Sequence, residues 1–327
     1  MRIPTMTDVL EARRLLHGRL EPTPTRHHMG VDRATGATVV VKHENVNPTN
    51  AFKVRGGLNL LASMTPEEQR RGVVGYSTGN HAQSLAYAAR AHEAPCVIVM
   101  PENPNPTKAQ AVRDLGAELV EAGAVFDDSR ASAERIADER GMRLVSAANE
   151  PPIIAGVATA YLELIEQAPR LDTIVVPVGS GSGAAAACVV TAALAPSCRV
   201  VAVQSSASPA AHDSWHAGEL LVRPNRTRAE GLATGAGFEL PQEVIREHLH
   251  DFVLVDDEQI RTAQRVMLHE AHTLAEGAGA TALAAVLAYP ESFRGKNVAV
   301  VCTGANASAT EIEAAVTAPL MASSSHG

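Results

Sequence analysis

Cysteine is scarce: Cys96, Cys188, Cys198 and Cys302 are the four in 327 residues, and no two form a Cys-x-x-Cys pair. That excludes a small disulfide scaffold and gives no sign of a zinc knuckle or a thioredoxin-type redox site, so a reducing cytoplasm is expected. Aromatic side chains are also few, with 1 Trp, 4 Tyr and 5 Phe. Because 28 basic face 36 acidic side chains, for a formal charge of −8, the chain has neither the rings nor the charge to engage nucleic acid. Long apolar runs are missing too. The longest, at 184–195, contains Thr191 and falls short of the roughly 20 residues of a membrane span. Behind the N-terminus, Asp8, Glu11, Arg13 and Arg14 replace the apolar stretch of a signal peptide. There is no internal repeat, Ser/Gly linker or charge block to divide the chain, so any two lobes are interleaved in sequence.

What is present is 46% hydrophobic and 20% charged, the profile of a globular protein with enough apolar material for two cores. Apolar strand-like runs at 38–41, 73–76, 96–100, 118–120, 144–147, 173–178, 200–204, 252–255 and 298–302 are bounded by Gly, Pro or Asn. Helical periodicity fills 80–91, 106–115, 129–140 and 257–275 between them. This alternation predicts an α/β fold with parallel-rich sheets covered by helices on both faces. In 129–140, Ala133, Ile136 and Ala137 make a narrow apolar face while Arg130, Glu134 and Arg135 stay wet, and Gly141 supplies the stop.

Four segments could carry chemistry. In Asn47-Pro48-Thr49-Asn50-Ala51-Phe52-Lys53-Val54-Arg55-Gly56-Gly57, one lysine stands between apolar neighbours, which strip its hydration and favour the neutral, nucleophilic amine; an ordinary lysine at a helix start explains it as well. Ser77-Thr78-Gly79-Asn80-His81 follows a strand and opens a helix, whose free N–H groups suit a carboxylate, with Ser77 or Thr78 as a plain N-cap as the alternative. Gly179-Ser180-Gly181-Ser182-Gly183 lies between a strand and an Ala-rich helix and reads as a phosphate cup. A dinucleotide site would need an acid closing the next strand, and Gln204 and Ser205 stand there instead. Finally, Cys302-Thr303-Gly304-Ala305-Asn306 places a hydroxyl at a strand's carboxyl end, where a tight turn is the alternative.

No metal site is expected. His269-Glu270-Ala271-His272 lacks the histidine that a zinc-protease helix has at position 273, and adjacent His27 and His28 diverge. These histidines, with His248 and His250, read as surface residues.

Taken in order, the four segments resemble the pyridoxal-phosphate enzymes of the tryptophan-synthase β fold (fold type II), most closely the threonine/serine dehydratase and serine racemase family, over about residues 20–310. That family's pattern is a Pro-Thr-Gly-Ser-Phe-Lys-x-Arg-Gly box, a Ser-x-Gly-Asn-His loop, a Gly-rich phosphate cup and a Ser-Gly-Gly-Asn turn. The resemblance implies pyridoxal 5'-phosphate bound as a Schiff base to Lys53, with Phe52 packing against it and Asn80 on its ring hydroxyl. By the same resemblance Gly179, Ser180, Gly181, Ser182 and Gly183 hold its phosphate and Thr303 faces its ring nitrogen. Ser77, Thr78, Gly79, Asn80 and His81 seat the substrate carboxylate, and Lys53 and Thr78 are the catalytic candidates. The implied reaction is elimination of water from a β-hydroxy amino acid, giving a 2-oxo acid and ammonia. Amino-acid racemisation and β-replacement are the alternatives within the family, and a nucleotide-binding or purely structural α/β protein is the alternative outside it. The implied architecture has residues 50–150 as a smaller domain inserted into a larger one, 1–49 plus 151–327, with the cofactor in the cleft between them, in a cytoplasmic homodimer. Since 24 residues follow Thr303 (327 − 303), no carboxyl-terminal regulatory domain is expected.

The departures are specific. Asn50-Ala51 replaces Gly-Ser in the lysine box, Thr78 stands where the family has Ala or Ser, and Ala305 replaces a glycine. Arg226 occupies a position where an acid would help bind a divalent cation, leaving Glu230 alone, so a cation there is not expected. Loops 205–212 and 232–238 are candidates for lining the substrate pocket.

Overall fold

The computed structural model describes residues 1–104, 106–123 and 126–318. Its two compact units are formed by Met1–Glu21 with Asn47–Thr159, and by Pro22–Val46 with the chain from Ala160 onward. Against the expected 50–150 and 1–49 plus 151–327, the first unit takes in Met1–Glu21 and runs from Asn47 to Thr159. The helix Met6–Leu16 buries Val9, Ala12 and Leu16, and Leu16 joins the core of Val54, Leu58, Leu61 and Leu85, so this segment goes with the first unit.

The described strands are β1 Thr25–His27, β2 Thr38–His43, β3 Val73–Tyr76, β4 Cys96–Met100, β5 Glu118–Glu121, β6 Arg143–Val145, β7 Thr173–Pro177, β8 Arg199–Ser205, β9 Asp251–Val255 and β10 Asn297–Cys302. Nine of them fall on the apolar runs seen in the sequence. The exception is β1, which lies among prolines that argue against a strand. It is short and pairs antiparallel with β2 at the sheet's edge.

In the first unit all four strands are parallel, in the order β5-β4-β3-β6. The second unit's sheet runs β1-β2-β10-β7-β8-β9 and is parallel apart from β1. Every residue of β4 and β7 is buried, as parallel strands covered on both faces must be.

One expected helix is shorter than its periodicity suggested. The periodicity over 257–275 belongs to a helix Asp257–Glu270, after which His272 takes a left-handed backbone (φ 51°) and the Thr273 N–H turns back to the Met267 carbonyl at 3.0 Å. A second helix, Gly277–Ala288, follows and has no amphipathic period, because residues 277–287 are all buried in the core of the second unit. Among the described residues no helix is long and apolar enough to cross a membrane.

Candidate active site

The lysine box enters its helix through a strained turn. Asn50 has φ 52°, in the left-handed region where glycine is easiest and asparagine among the best-tolerated substitutes. Ala51 is fully buried, which leaves no room for solvent beside it. The helix Lys53–Ser63 then begins with Phe52 as N-cap. It lies close against the helix Asn80–Ala91 because Gly57 has no side chain; a Cβ there would clash with the Ser84 hydroxyl and carbonyl. The Ser84 hydroxyl donates to the Lys53 carbonyl at 2.5 Å, and buried Arg55 donates to the Thr159 hydroxyl at 3.0 Å, so the backbone carrying the lysine is held from two sides.

The Lys53 amine donates to the Ala147 carbonyl at 3.0 Å and lies 5.3 Å from the centre of the Phe52 ring. Although the residue as a whole keeps some exposure, burial of the amine pushes its pKa down from 10.5 to about 7. A large share of neutral amine at neutral pH is what a carbonyl-capturing nucleophile requires.

The sheet topology explains why the lysine meets these loops. In the order β5-β4-β3-β6 the chain reverses direction at β3, and β3 pairs with β6 in the register Gly75↔Val145. The segments leaving β3 and β6 therefore share one carboxyl edge at a topological switch point, where open α/β sheets bind ligands. Residues 77–79 and Ala147 lie on that edge.

Gly79 is the N-cap of the helix Asn80–Ala91 and no side chain caps it, so the Ser77 or Thr78 cap does not form; the Ser77 hydroxyl accepts instead from the Gly79 N–H at 3.2 Å. Thr78 is exposed, while Ser77, Gly79 and Asn80 are half-buried. His81 differs from its neighbours. It is buried, its ring is bonded to the Val145 carbonyl, and its Nε2 has no partner. Burial first, and the Lys53 charge second, push its pKa down to about 3, so it stands by the lysine as a neutral ring.

The second unit has a switch point of its own. β10 lies between β2 and β7, with Val300↔Val175 in register, so residues 178–183 and Thr303 leave neighbouring strands at one edge. Gly181 (φ 90°) is the N-cap of the helix Ser182–Leu194 and has no side chain with which to cap it. The first-turn amides of such a helix lack intrahelical acceptors and favour an anion. A Cβ on Gly179 would collide with the Gly231 carbonyl, and one on Gly181 would come within 2.8 Å of Pro241, so the turn closes only with glycine at both places. The Thr234 hydroxyl donates to the Gly179 carbonyl at 3.2 Å, bringing the 232–238 loop to the cup. Thr303 is 5% exposed, and the Glu276 N–H donates to the next carbonyl, Gly304, at 3.0 Å.

The other expected pocket loop is anchored within the second unit. Ser205 Oγ and Thr227 Oγ1 each donate to Asp257 at 2.7 Å, the Arg228 N–H donates to the same carboxylate at 2.8 Å, and Ser208 Oγ donates to Asn225 at 2.6 Å. A protein carboxylate thus organises residues 227 and 228. Among the described residues no three His, Cys, Asp or Glu side chains converge as metal ligands.

A family model described as "Pyridoxal-phosphate dependent enzyme" matches residues 17–304. The chain belongs to that family. It is 35% identical to an L-threonine ammonia-lyase of Thermotoga maritima over 92% of this chain and 75% of that one. It is 32% identical to an L-threo-3-hydroxyaspartate ammonia-lyase of a Pseudomonas species, over 94% and 96%. Among solved structures, maize serine racemase superposes with a TM-score of 0.91 at 27% identity, covering 95% of this chain and 96% of that one. The fold is therefore fold type II, and the chain is a dehydratase-like pyridoxal-phosphate enzyme.

The residues present suit that cofactor on structural grounds alone. The first unit offers an enclosed amine of lowered pKa, and the second an anion cup that a side chain at Gly179 or Gly181 would fill. Sequence reading put Ala147 inside a strand, whereas β6 ends at Val145, and gave no role to Ser84 or Gly231. The first had a usable signal, since a strand ending at a switch point marks its following loop. The other two act through backbone proximity and leave no pattern in the sequence.

Two substitutions test this geometry. Replacing Asn50 by Val should destabilise the protein by about 1–2 kcal/mol or more, as measured by urea denaturation. Gly181→Asp places a carboxylate and a Cβ in the cup. Cofactor affinity, followed by absorbance titration, should fall by at least about tenfold.

Proposed function

We propose that the chain eliminates water from an L-β-hydroxy amino acid of the threonine/serine type, giving a 2-oxo acid and ammonia. The observation that carries this reading is the enclosed Lys53 amine, with a pKa of about 7, beside an uncapped helix N-terminus. Such an amine can hold the cofactor covalently and, once released, take the proton from the substrate Cα at Nζ. Bound pyridoxal phosphate supplies the electron sink that makes this proton removable.

In this reading Phe52 packs on the cofactor ring and Asn80 hydrogen-bonds its hydroxyl. Gly179, Ser180, Gly181, Ser182 and Gly183 hold the phosphate, and Thr303 faces the ring nitrogen. A threonine hydroxyl does not keep a proton on that nitrogen as a carboxylate would, which restrains charge withdrawal and favours loss of a β leaving group. The substrate carboxylate is seated by Ser77, Thr78, Gly79, Asn80 and His81, chiefly through amides at the helix N-terminus, because the His81 ring is neutral and turned inward. The same reading makes the protein a cytoplasmic homodimer, and its four buried, unbridged cysteines agree with a reducing compartment.

Lys53→Ala should abolish the visible absorption band that borohydride removes from the wild type, and lower 2-oxo acid formation by on the order of 10²–10⁴ from loss of the base alone. Wild-type turnover in that variant would refute the assignment. A panel of L-serine, L-threonine and 3-hydroxyaspartate identifies the preferred side chain.

Racemisation is a second reading, favoured by the exposed Thr78 hydroxyl in the loop and by the likeness to maize serine racemase. Inversion needs a proton donor on the face opposite Lys53, and a threonine hydroxyl is a weak acid with a methyl that limits its rotamers. Thr78→Ala should therefore retain elimination with a modest loss. A wild-type ratio of D-enantiomer to 2-oxo acid well above one, collapsing in the variant, would establish racemisation as the main activity.

A further inference from the structure

The turn that follows β6 in the first unit is held through two of its peptide groups. In the first, the Val145 carbonyl accepts from the His81 ring and the Ser146 N–H donates to the Glu150 carboxylate, so both ends of one planar group are fixed. In the second, the Ala148 N–H donates to the Ser146 hydroxyl at 3.4 Å, while the Ala147 carbonyl accepts from the Lys53 amine at 3.0 Å. The Asn149 N–H also donates to Ser146 Oγ, at 3.1 Å. The carbonyl that receives the lysine is thus aimed by its own peptide plane.

Glu150 is 9% exposed. Its Oε2 accepts from the Arg143 guanidinium at 2.7 Å, and Arg143 is the first residue of β6, so the carboxylate ties the strand to the turn that leaves it. Burial outweighs both Arg143 and the Ser146 N–H and pushes the Glu150 pKa above its ordinary value. A raised carboxyl pKa means that the ionised form costs the fold stability at neutral pH, where the unfolded chain would ionise it freely. Stability therefore does not account for a buried acid at this place.

We propose that Glu150 is a positioning residue for Lys53: by clamping the Ser146 N–H it sets the turn so that the Ala147 carbonyl faces Nζ and fixes where the amine rests whenever it is free. This rests on the reading of Lys53 as the base. A carbonyl acceptor stabilises the ammonium more than the neutral amine, because hydrogen bonds from charged donors are the stronger. Loosening the turn therefore has two effects on Lys53. It lowers the amine's pKa, and it moves Nζ away from the place where it must meet the substrate Cα. The neighbouring charges do not mimic the first effect. His81, facing Lys53 from the helix Asn80–Ala91, is neutral, and the Glu68 carboxylate near Arg143 is engaged by the Thr65 N–H at 2.7 Å.

The test compares Glu150→Ala, Glu150→Gln and Ser146→Ala as full-length holoenzymes, with the cofactor absorption band reporting fold and loading. In Glu150→Ala, kcat should fall at least about tenfold while KM stays within about twofold. The acid limb of its kcat profile should move down by about half a unit to one pH unit. Hydrogen exchange followed by mass spectrometry should show faster deuterium uptake in the peptide carrying Ser146. Glu150→Gln removes the charge but keeps an oxygen for the Ser146 N–H, so it should hold kcat within about threefold of the wild type and leave the acid limb in place. Ser146→Ala is the milder change, and it should lower kcat and shift the limb in the same direction even where Glu150→Ala does not fold. Wild-type kcat in Glu150→Ala or Ser146→Ala, a loss confined to KM, or a limb that moves as far in Glu150→Gln as in Glu150→Ala would overturn the inference. Wild-type turnover in Lys53→Ala would instead remove the base assignment beneath it.

Discussion

Keeping one amine out of water is the constraint on which the first unit depends. A lysine is normally among the most strongly hydrated side chains, and lowering the Lys53 pKa to about 7, where a large share of the amine is neutral, requires that the amine be enclosed by protein. The glycines of the Arg55-Gly56-Gly57 run serve this end by letting helices approach closely. A Cβ on Gly56 would meet Ile153, and one on Gly57 would meet Ser84. The same enclosure forces His81 to be neutral, so a segment that looks cationic in the sequence contributes no positive charge.

Most of this was legible because parallel sheets give simple signals. Strands buried on both faces read as continuous apolar runs, and nine strands were visible on that ground alone. The glycines at 179 and 181 and the lysine box stood out because close backbone approach and an amine between apolar neighbours each admit few residue types. Asn50, one of the departures from the family's lysine box, takes a positive φ that asparagine tolerates better than most residues.

What escaped the sequence escaped for physical reasons. The helix Gly277–Ala288 is surrounded by core on all sides, so it has no polar face to produce a period, and the sequence reading did not find it. The break between the two depends on one left-handed histidine, a residue with no strong preference for that role. The 3.5 Å approach of the His28 and His43 rings joins residues that are not partners in the β1–β2 register. Tertiary proximity of this kind leaves no trace in spacing.

The interleaving of the two units also sets an order of assembly. The first unit's sheet uses strands drawn from residues 73–145, a continuous stretch that can pair as soon as it exists. The second unit's sheet has β10 between β2 and β7, so the strand that joins its two halves is the one that comes after all the others in the chain. Until Asn297–Cys302 is made, β2 and β7 each present an unpaired edge. The second unit is therefore the slow, high-contact-order part of the molecule, and the one with most to gain from a chaperone during synthesis.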